Sequence, residues 1–402
     1  MKPIVAQALP EILGRDRSFL HEEISSTRSQ ISEALSGASV LVIGAAGSIG
    51  GAFASELASY SMKRMHLVDI SENNLAEVVR VFRSAGLTLP LDFQTFAIDF
   101  TGPEMRALLN KYSYDFVLNF SALKHVRSER DPFTLMRLLE VNVLGNDILV
   151  DTLSRQGTPQ MLFSVSSDKA VRPANLMGAS KAFMERVLLS RADQVPFGSA
   201  RFANVAFSDG SLLYSFLSRL ENRQPLSAPR DVRRYFISHE EAGQLCLLGA
   251  FSGGNREIFF PKFQPEEDMM TFSEIACVLL DVSGYKPVEC ESEEEALKQA
   301  SKLNSSSKEW PCYFSDSDTT GEKPFEEFHD PREEVDLKRF PEVGVVTSPI
   351  ESDSLLIRES IEDINSMRKK GSWEKEELLA AVQKVVPELN HSEMGKNLDQ
   401  KM

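Results

Sequence analysis

The chain has 402 residues, enough for one large α/β unit with a smaller second domain or for two domains of ordinary size. Its 59 acidic residues outnumber its 44 basic residues, and the net charge of −15 argues against nucleic acid or an anionic membrane as the main partner. No apolar run reaches the roughly 18 residues of a membrane span, and the polar breaks in MKPIVAQALPEILGRDRSF do not fit a signal peptide. We therefore expect a cytoplasmic protein without a membrane span.

Residues 1–37 are predicted to form an N-terminal helical extension. Phe19, Ile24, Ile31 and Leu35 recur near helical spacing, with charged residues between them. This apolar stripe needs a surface to cover, either the next domain or a partner subunit. The expectation of a homo-oligomer depends on this stripe alone.

Residues 38–207 alternate between apolar strands and amphipathic helices. The predicted strands are SVLVIG, MHLVD, FQTFAID, DFVLNFSA, MLFSVS and GSARFANVA, and a long helix is predicted over PFTLMRLLEVNVLGNDILVDTLSRQ. Apolar strands separated by helices indicate a parallel sheet that is covered on both faces. The fold class is therefore α/β, with a Rossmann-type doubly wound parallel sheet.

Beyond Phe207 the alternation becomes irregular. Residues 208–345 are predicted to form a smaller α/β substrate-binding region, from which REIFFPK returns as a strand to the sheet. Residues 346–402 are predicted to form C-terminal helices, including KEELLAAVQKVVPEL, and a frayed tail. Cys246, Cys277, Cys290 and Cys312 show no CxxC pair, so we expect reduced thiols and no metal site.

The segment VLVIGAAGSIG places Gly44, Gly47 and Gly50, with Ser48 and Ile49, between a strand and a helix. Glycines at this spacing permit a tight turn, close approach of a pyrophosphate and packing of the helix on the strand. The helix N-terminus offers unpaired N–H groups to the phosphates. The segment predicts a dinucleotide site; a packing turn without a ligand is the alternative.

Two acidic residues end the next strands. Asp69 could bond both ribose hydroxyls of the adenosine and would repel an extra phosphate. Because no Arg or Lys follows in Ile70–Glu72, NAD is favoured over NADP. Asp99 could meet the adenine amino group, although a loop-capping aspartate is the alternative.

The stretch FSVSSDKAVRPANLMGASK brings polar residues to a strand end. Ser166, Ser167, Asp168 and Lys169 follow the strand MLFSVS, beside the switch point where doubly wound folds bind ligands. Met177 and Lys181 are four residues apart on the following helix, so both face that strand. Solvated surface lysines are the alternative.

An aspartate beside a lysine can divide acid and base work between two side chains. A carboxylic acid can protonate a leaving hydroxyl, and a lysine with a lowered pKa can remove a proton next to a ketone. If a cofactor first oxidises a neighbouring alcohol, the ketone acidifies that C–H bond and water can be eliminated. The pair therefore favours dehydration with internal return of the hydride.

Seven segments carry a resemblance to a known family: GAAGSIG, ALKHV, NVLGN, SSDKAVRPANLMGASK, RFANV, RRYF and TTGEKPFEEF. From about Val40 to near Leu389 the chain resembles the UDP-N-acetylglucosamine 4,6-dehydratases, bacterial polysaccharide-biosynthesis enzymes of the extended short-chain dehydrogenase/reductase superfamily. The resemblance implies a lyase with a bound nicotinamide cofactor and a UDP-sugar substrate. The implied reaction is oxidation at sugar carbon 4, loss of water across carbons 5 and 6, and return of the hydride to carbon 6.

The resemblance also implies catalytic roles. Asp168 would be the acid for the carbon 6 hydroxyl, Lys169 the base at carbon 5, and Lys181 the lysine that binds the nicotinamide ribose. Met177 stands where many relatives have a tyrosine, and a thioether cannot accept the carbon 4 hydroxyl proton. That role falls to Ser167, Asp168, a water molecule or the substrate itself.

Further cofactor contacts are expected from the fourth strand, where Asn119, Ser121, Ala122 and Lys124 would line the ribose and nicotinamide side. His125 is tempting as a catalyst, but a histidine packed against the sheet edge is the preferred interpretation.

Predicted substrate contacts lie later in the chain. Threonines replace the Arg-Pro that many relatives carry before GEK, which leaves Arg201 and Arg234 as candidates for the diphosphate. Asn204 and Glu322 are further candidates, and an exposed acidic loop is the alternative for Glu322. Asn142, a polar residue inside an apolar helix, suggests a buried hydrogen bond or a substrate contact.

Two other functions remain open. A nucleotide-sugar 4-epimerase would need only hydride removal and return at carbon 4, and it would give the Asp168–Lys169 pair no task. A catalytically dead NAD-binding regulatory protein would be consistent with Met177.

Overall fold

The structure is a computed structural model that describes residues 3–157, 159–264, 268–317, 323, 325 and 327–390. The helices are α1 Pro3–Leu13, α2 His21–Leu35, α3 Ser48–Leu57, α4 Glu72–Ser84, α5 Pro103–Lys111, α6 Pro132–Leu139, α7 Gly145–Gln156, α8 Leu176–Leu189, α9 Leu212–Glu221, α10 His239–Phe251, α11 Phe272–Val282, α12 Glu293–Ala300, α13 Ser354–Lys370 and α14 Lys375–Val385. The strands are β1 Ser39–Ile43, β2 Arg64–Asp69, β3 Asp92–Ala97, β4 Phe116–Asn119, β5 Met161–Val165, β6 Phe197–Ala200, β7 Asn204–Val205, β8 Leu226–Pro229, β9 Arg233–Ile237, β10 Glu257–Pro261, β11 Met269–Thr271, β12 Lys286–Glu289, β13 Glu309–Ser315, β14 Glu334–Asp336 and β15 Val343–Ser348.

The main sheet has nine strands among the described residues, in the order β14-β15-β10-β6-β5-β4-β1-β2-β3. Every neighbouring pair from β10 to β3 is parallel, and β15 and β14 join in antiparallel fashion at the edge. The chain places β2 and β3 on one side of β1 and then crosses to place β4 and the later strands on the other side. The crevice between β1 and β4 is therefore a topological switch point. The predicted Rossmann-type doubly wound sheet is confirmed.

Strand β1 shows why helices cover both faces of the sheet. All five of its residues are buried, and successive side chains alternate between the faces. Val40 and Val42 lie in a core that includes residues of α3 and α10, whereas Leu41 and Ile43 lie in a second core with residues of α7 and α8. A strand whose residues are all buried is therefore stable only between two helical layers.

Residues beyond Phe207 contribute to both parts of the molecule. The predicted returning strand is β10, which pairs in parallel with β6. The sequence analysis did not predict β14 and β15, which extend the main sheet further. The remaining strands form two small sheets, ordered β11-β9-β7 and β12-β13-β8.

The N-terminal stripe is covered by the chain itself. Ile31 and Leu35 of α2 are fully buried in the core that also holds Leu245 and Leu248 of α10. The Arg15 side chain also bonds Glu241 of α10 in two places. The stripe therefore gives no reason to expect a partner subunit, and the homo-oligomer prediction loses that support.

The predicted long helix over residues 132–156 is interrupted. A π-helical turn, Glu140–Leu144, joins α6 to α7. Within it the Asn142 side chain accepts the N–H of Leu123 and donates to the Leu123 carbonyl and to the Ser180 hydroxyl, each at 2.9 Å. The expected buried hydrogen bond is present, and it ties the loop after β4 to helix α8.

Helices α13 and α14 pack on α6 and α8. Ile357, Ile361 and Ile364 of α13 lie in one buried cluster with Leu378 of α14 and Phe183 of α8. Apolar burial thus joins the C-terminal helices to the helix that carries Lys181. Among the described residues, we find no helix of the length and apolar character that a membrane crossing would require.

Replacing Ile364, which is fully buried, by alanine is expected to lower the free energy of unfolding by about 2–5 kcal/mol. The substitution would leave a cavity, and the surrounding apolar side chains would lose their contacts with the removed atoms. Leu355→Ala on the same helix is the control: this side chain is 54% exposed, and the expected change is within about 0.5 kcal/mol. Urea unfolding followed by circular dichroism measures both. Equal losses would contradict the packing of α13.

Candidate active site

Two adjoining cavities lie at the carboxyl ends of β1, β4 and β5. Their volumes are about 450 Å³ and about 220 Å³, and Gly47, Phe120 and Ala122 line both. The larger cavity brings together these predicted residues: Gly47, Ser48, Ile49, Gly50, Ala122, Lys124, Ser167, Asp168, Lys169, Met177, Lys181 and Asn204. The smaller cavity brings together Gly44, Asp69, Asp99 and Ser121.

The turn after β1 is built for glycine. Gly44 has φ +72°, and a Cβ atom there would lie 2.6 Å from the backbone nitrogen of Ser121. A Cβ atom on Gly50 would lie 2.0 Å from the Gly44 carbonyl oxygen, so this residue allows α3 to start directly behind the turn. No side chain caps the N-terminus of α3, which leaves N–H groups available to an anion.

Asp69 lies beside that turn, in the smaller cavity. Its Oδ2 accepts the N–H of Ala46 and its Oδ1 accepts the N–H of Ser71, each at 2.9 Å. The carboxylate is therefore held at a defined place between the glycine turn and the loop after β2.

Arg137 was not anticipated from the sequence, and it shapes the same cavity. Its guanidinium donates to Asp99 at 2.7 Å and to Glu140 at 2.9 Å. Burial opposes the ionisation of Asp99, but hydrogen bonds from Thr101 and Arg137 outweigh it and hold the pKa of Asp99 below its usual range. Only the i, i+3 spacing to Glu140 was visible in the sequence.

The polar turn after β5 is a short 3₁₀ helix, Asp168–Ala170. The Ser167 hydroxyl donates to Asp168 Oδ1 at 2.8 Å and accepts the N–H of Lys169 at 3.0 Å. Lys169 Nζ lies 3.1 Å from the same Oδ1 atom. Asp168 is only 2% exposed, so the carboxylate and the amine form a largely buried acid–base pair.

Helix α8 places Lys181 behind this pair. Its Nζ donates to the Val165 carbonyl at 2.9 Å. Burial lowers the pKa of Lys181 to about 8, and the carboxylate of Glu185 opposes that shift. Met177, 3% exposed, lines the cavity one helical turn earlier.

A loop between β7 and α9 closes one side of the larger cavity. Ser208 Oγ accepts a hydrogen bond from Lys124 Nζ at 3.3 Å, and the Asp209 N–H donates to Ser48 Oγ at 3.0 Å. Burial lowers the pKa of Lys124, with Asp209 opposing. The His125 ring lies against Gly210, 2.8 Å from where a Cβ atom would be, which agrees with a packing role.

The structure places only one of the next two predicted substrate contacts in the larger cavity. Asn204 lines the larger cavity, and its Oδ1 lies 3.5 Å from Lys169 Nζ. Arg234 does not line the cavity, although it is on the same face of β9 as Phe236, which does. Its Nη1 donates to the carbonyl of Lys323 at 3.0 Å. Glu322 lies outside the described residues.

Arg201 is a correction. Its guanidinium is 4% exposed, makes paired hydrogen bonds with Glu185 and Glu333 at 2.6–2.9 Å, and donates to the Phe328 carbonyl. Burial disfavours the charged form, but the two carboxylates outweigh it and raise the pKa. Because these partners occupy the guanidinium and Arg201 does not line the larger cavity, the structure does not support the predicted contact between Arg201 and the diphosphate.

The groove fits the two halves of a dinucleotide. Glycines leave room where a Cβ atom would collide, uncapped N–H groups face the turn, and a fixed carboxylate lies at the far end. The other end holds an acid–base pair and a buried amine. No cluster of three or more His, Cys, Asp or Glu within the described part of the chain is arranged to hold a metal ion.

Comparison with known proteins adds family evidence. The family described as "Polysaccharide biosynthesis protein" matches residues 40–305. The "Probable polysaccharide biosynthesis protein EpsC" of Bacillus subtilis is 27% identical over 299 residues, 73% of this chain and 48% of that protein. A "UDP-N-acetylglucosamine 4,6-dehydratase (inverting)" of Campylobacter jejuni is 30% identical over 157 residues, 37% of this chain and 46% of that protein. The chain thus spans about half the length of these relatives.

A solved structure supports the fold. DesIV, a dTDP-glucose 4,6-dehydratase of Streptomyces venezuelae crystallised with NAD and TYD, matches with a TM-score of 0.55 at 16% identity. The match covers 84% of this chain and 99% of that one. At this identity the likeness concerns the fold alone.

The glycine turn gives a matched pair of variants. Gly50→Ala is expected to lower the melting temperature, because the new Cβ would lie 2.0 Å from a backbone oxygen and the turn must shift. Gly51→Ala should leave it unchanged or raise it, since that Cβ meets its nearest backbone atom at 3.6 Å and alanine favours helix. Thermal unfolding of both variants tests the geometry. A Gly50→Ala protein as stable as Gly51→Ala would contradict it.

Proposed function

Since this chain belongs to the polysaccharide biosynthesis protein family, we propose that it is an NAD-dependent 4,6-dehydratase of a UDP-N-acetylhexosamine. The favoured substrate is UDP-N-acetylglucosamine, and the product is a UDP-4-keto-6-deoxy sugar for surface polysaccharide or nonulosonic acid synthesis. The observation that carries the proposal is the buried Asp168–Lys169 pair in a cavity that Lys181 and the glycine turn also line.

The cofactor would lie along both cavities. The turn Gly44–Gly50 and the N-terminus of α3 would hold the pyrophosphate, and Asp69 the adenosine ribose. Lys181, with Ser121, Ala122 and Lys124, would hold the nicotinamide half. When bound, the nicotinamide supplies the hydride acceptor for sugar carbon 4 and the hydride donor for carbon 6.

The Asp168–Lys169 pair contains the proton that the elimination needs. Moving one proton from Lys169 Nζ to Asp168 Oδ1, 3.1 Å away, converts an ion pair into a carboxylic acid and a free amine without changing the total charge. The amine can then remove the proton on carbon 5, and the acid can protonate the leaving hydroxyl on carbon 6. Lys169 then holds the carbon 5 proton, and the carbon 6 hydroxyl leaves as water. When the hydride is returned to carbon 6, Lys169 can give a proton back to carbon 5.

The Asp168–Lys169 pair favours the proposed dehydratase over an epimerase on the same fold. An epimerase removes and returns a hydride at carbon 4 and has no leaving group to protonate. A buried carboxylate–ammonium pair carries a desolvation cost, so its place in the cavity supports a task in the reaction.

Incubation with UDP-N-acetylglucosamine in heavy water, read by mass spectrometry and proton NMR, tests the proposal. A product lighter by one water with deuterium at carbon 5 supports it. A UDP-N-acetylgalactosamine product without deuterium would establish an epimerase instead. If neither this sugar nor its GDP counterpart reacts while NAD stays bound, the regulatory function replaces it.

Two substitutions should separate the acid from the base. Asp168→Asn is expected to slow water loss by about 100-fold or more, while Lys169 still exchanges the carbon 5 proton with solvent. Lys169→Met should abolish both exchange and water loss. Deuterium incorporation and product formation are measured side by side, with Asp193→Asn, an 89% exposed side chain, as control. Loss of exchange in Asp168→Asn but not in Lys169→Met would reverse the assignment.

Cofactor choice depends on Asp69. In Asp69→Asn the affinity for NADP relative to NAD is expected to rise about tenfold or more. The substitution removes a fixed negative charge beside the extra phosphate that NADP carries on its adenosine ribose. Asparagine retains a side-chain oxygen for one of the two N–H groups that Asp69 accepts. Calorimetric titration of the cofactor-free protein gives the ratio. An unchanged ratio would show that Asp69 does not select the cofactor.

A further inference from the structure

Ser166 is a buried polar residue whose hydroxyl is unused. The residue is 3% exposed, and its Oγ has no hydrogen-bond partner within the described residues. A buried hydroxyl without a partner loses its bonds to water and gains none in return, so such groups are rare in stable proteins. Ser166 also lines the larger cavity, where a ligand can supply the missing partner.

The packing of β5 on α8 shows what lies opposite Ser166. Ser164 Oγ contacts Met184 Sδ at 3.3 Å, and the Val165 carbonyl accepts Lys181 Nζ at 2.9 Å. Residues nearer the carboxyl end of β5 thus contact residues nearer the N-terminus of α8. We expect the next step along the chain to bring Ser166 toward Met177, since Met177, Lys181 and Met184 share one helix face and Ser164 and Ser166 share one strand face. Both Ser166 and Met177 line the larger cavity.

The two side chains named above as candidates for the first proton, Ser167 and Asp168, are already engaged in hydrogen bonds. The Ser167 hydroxyl donates to Asp168 and accepts the Lys169 N–H, which fixes it within its own turn. The carboxylate of Asp168 accepts from Ser167 and from Lys169, and the proposed function uses it at carbon 6. Of the hydroxyl groups in this stretch of the strand end, Ser166 is the one that no internal bond occupies.

We propose that Ser166 accepts the proton of the sugar hydroxyl that is oxidised, in the place where Met177 leaves no hydroxyl. This inference rests on the proposed function, because it concerns the first step of that reaction. Because the Ser166 Oγ atom is buried in the structure, this role requires the side chain to turn toward the cavity by rotation about χ1.

The proton balance closes within the chain. The O–H bond of the sugar breaks and its proton passes to Ser166 Oγ, while the Ser166 proton passes to the neutral amine of Lys181. That amine lies next to the Val165–Ser166 peptide unit, as its bond to the Val165 carbonyl requires. The carbonyl forms as the carbon 4 C–H bond breaks, and a bound nicotinamide would supply the acceptor for the hydride that leaves.

The contact between Ser166 and the sugar 4-hydroxyl can be tested without turnover by removing each group in turn and measuring binding. Calorimetry measures the affinity of the protein, loaded with reduced cofactor, for UDP-N-acetylglucosamine and for its 4-deoxy analogue. The native protein is expected to favour the sugar with the 4-hydroxyl by about threefold to tenfold, and Ser166→Ala should erase that preference. Ser199→Ala is the control, because it removes a buried hydroxyl outside the cavity and should keep the preference.

The outcomes separate the two proposals. If Ser166→Ala keeps the full preference for the sugar with the 4-hydroxyl, the role of Ser166 is overturned while the proposed function stands. The same holds if the preference is lost in Ser167→Ala instead. If the native protein binds neither sugar and converts no UDP-sugar, the proposed function fails and the role of Ser166 fails with it.

A second measurement follows the reduction of bound cofactor in a single turnover. The rate in the native protein is expected to rise as the pH passes through about 8, because Lys181 must be neutral to accept the proton and its pKa lies there. Glu185 on α8 is the charged group that acts on Lys181, and the other charged residues that line the same cavity are Asp168, Lys169, Lys124 and Asp209. Ser166→Ala should lower the rate by about 100-fold and remove this rise; a retained rise at the native rate overturns the role.

Discussion

The close contact between helix α8 and the turn after β5 is the constraint on which the site depends. A Cβ atom on Gly178 would lie 2.2 Å from the Lys169 carbonyl oxygen, so glycine is needed for this approach. The Asn175 side chain accepts the Gly178 N–H at 2.8 Å and fixes where the helix begins. Lys181, one turn later, then reaches the Val165 carbonyl. The acid–base pair and the buried amine thus share one rigid support.

Burying α8 completely also requires that its charges find partners. Glu185 pairs with Arg201, and Arg186 pairs with Glu388 beyond the last helix. An unpaired charge at these depths would cost several kcal/mol, so each pair is needed once the helix is covered. The same pairs connect α8 to the sheet and to the C-terminal segment. Arg201 is therefore explained by the support of the helix rather than by substrate.

The net charge of the whole chain is negative, whereas the charged side chains that line the larger cavity sum to a positive charge. A net charge of −15 is unfavourable for phosphates at long range, but three lysines and two aspartates line the larger cavity. Salt screens interactions between exposed charges beyond about 10 Å, so groups within the groove dominate binding there. Uncapped N–H groups at the start of α3 add a partial positive charge without a side chain. An acidic protein can therefore present a groove whose local charge suits phosphate groups.

The sequence by itself determined the alternation of strands and helices, the glycine turn and the position of Asp168 and Lys169 at a strand end, because these depend on local spacing. The tertiary structure decided what required distant segments. Arg201 meets Glu333 only after packing, the N-terminal stripe meets α10, and the hydroxyl of Ser166 is buried without a partner in the described part of the chain. Periodicity specifies which face of an element is buried, but the partner on that face is set by the packing of the whole chain.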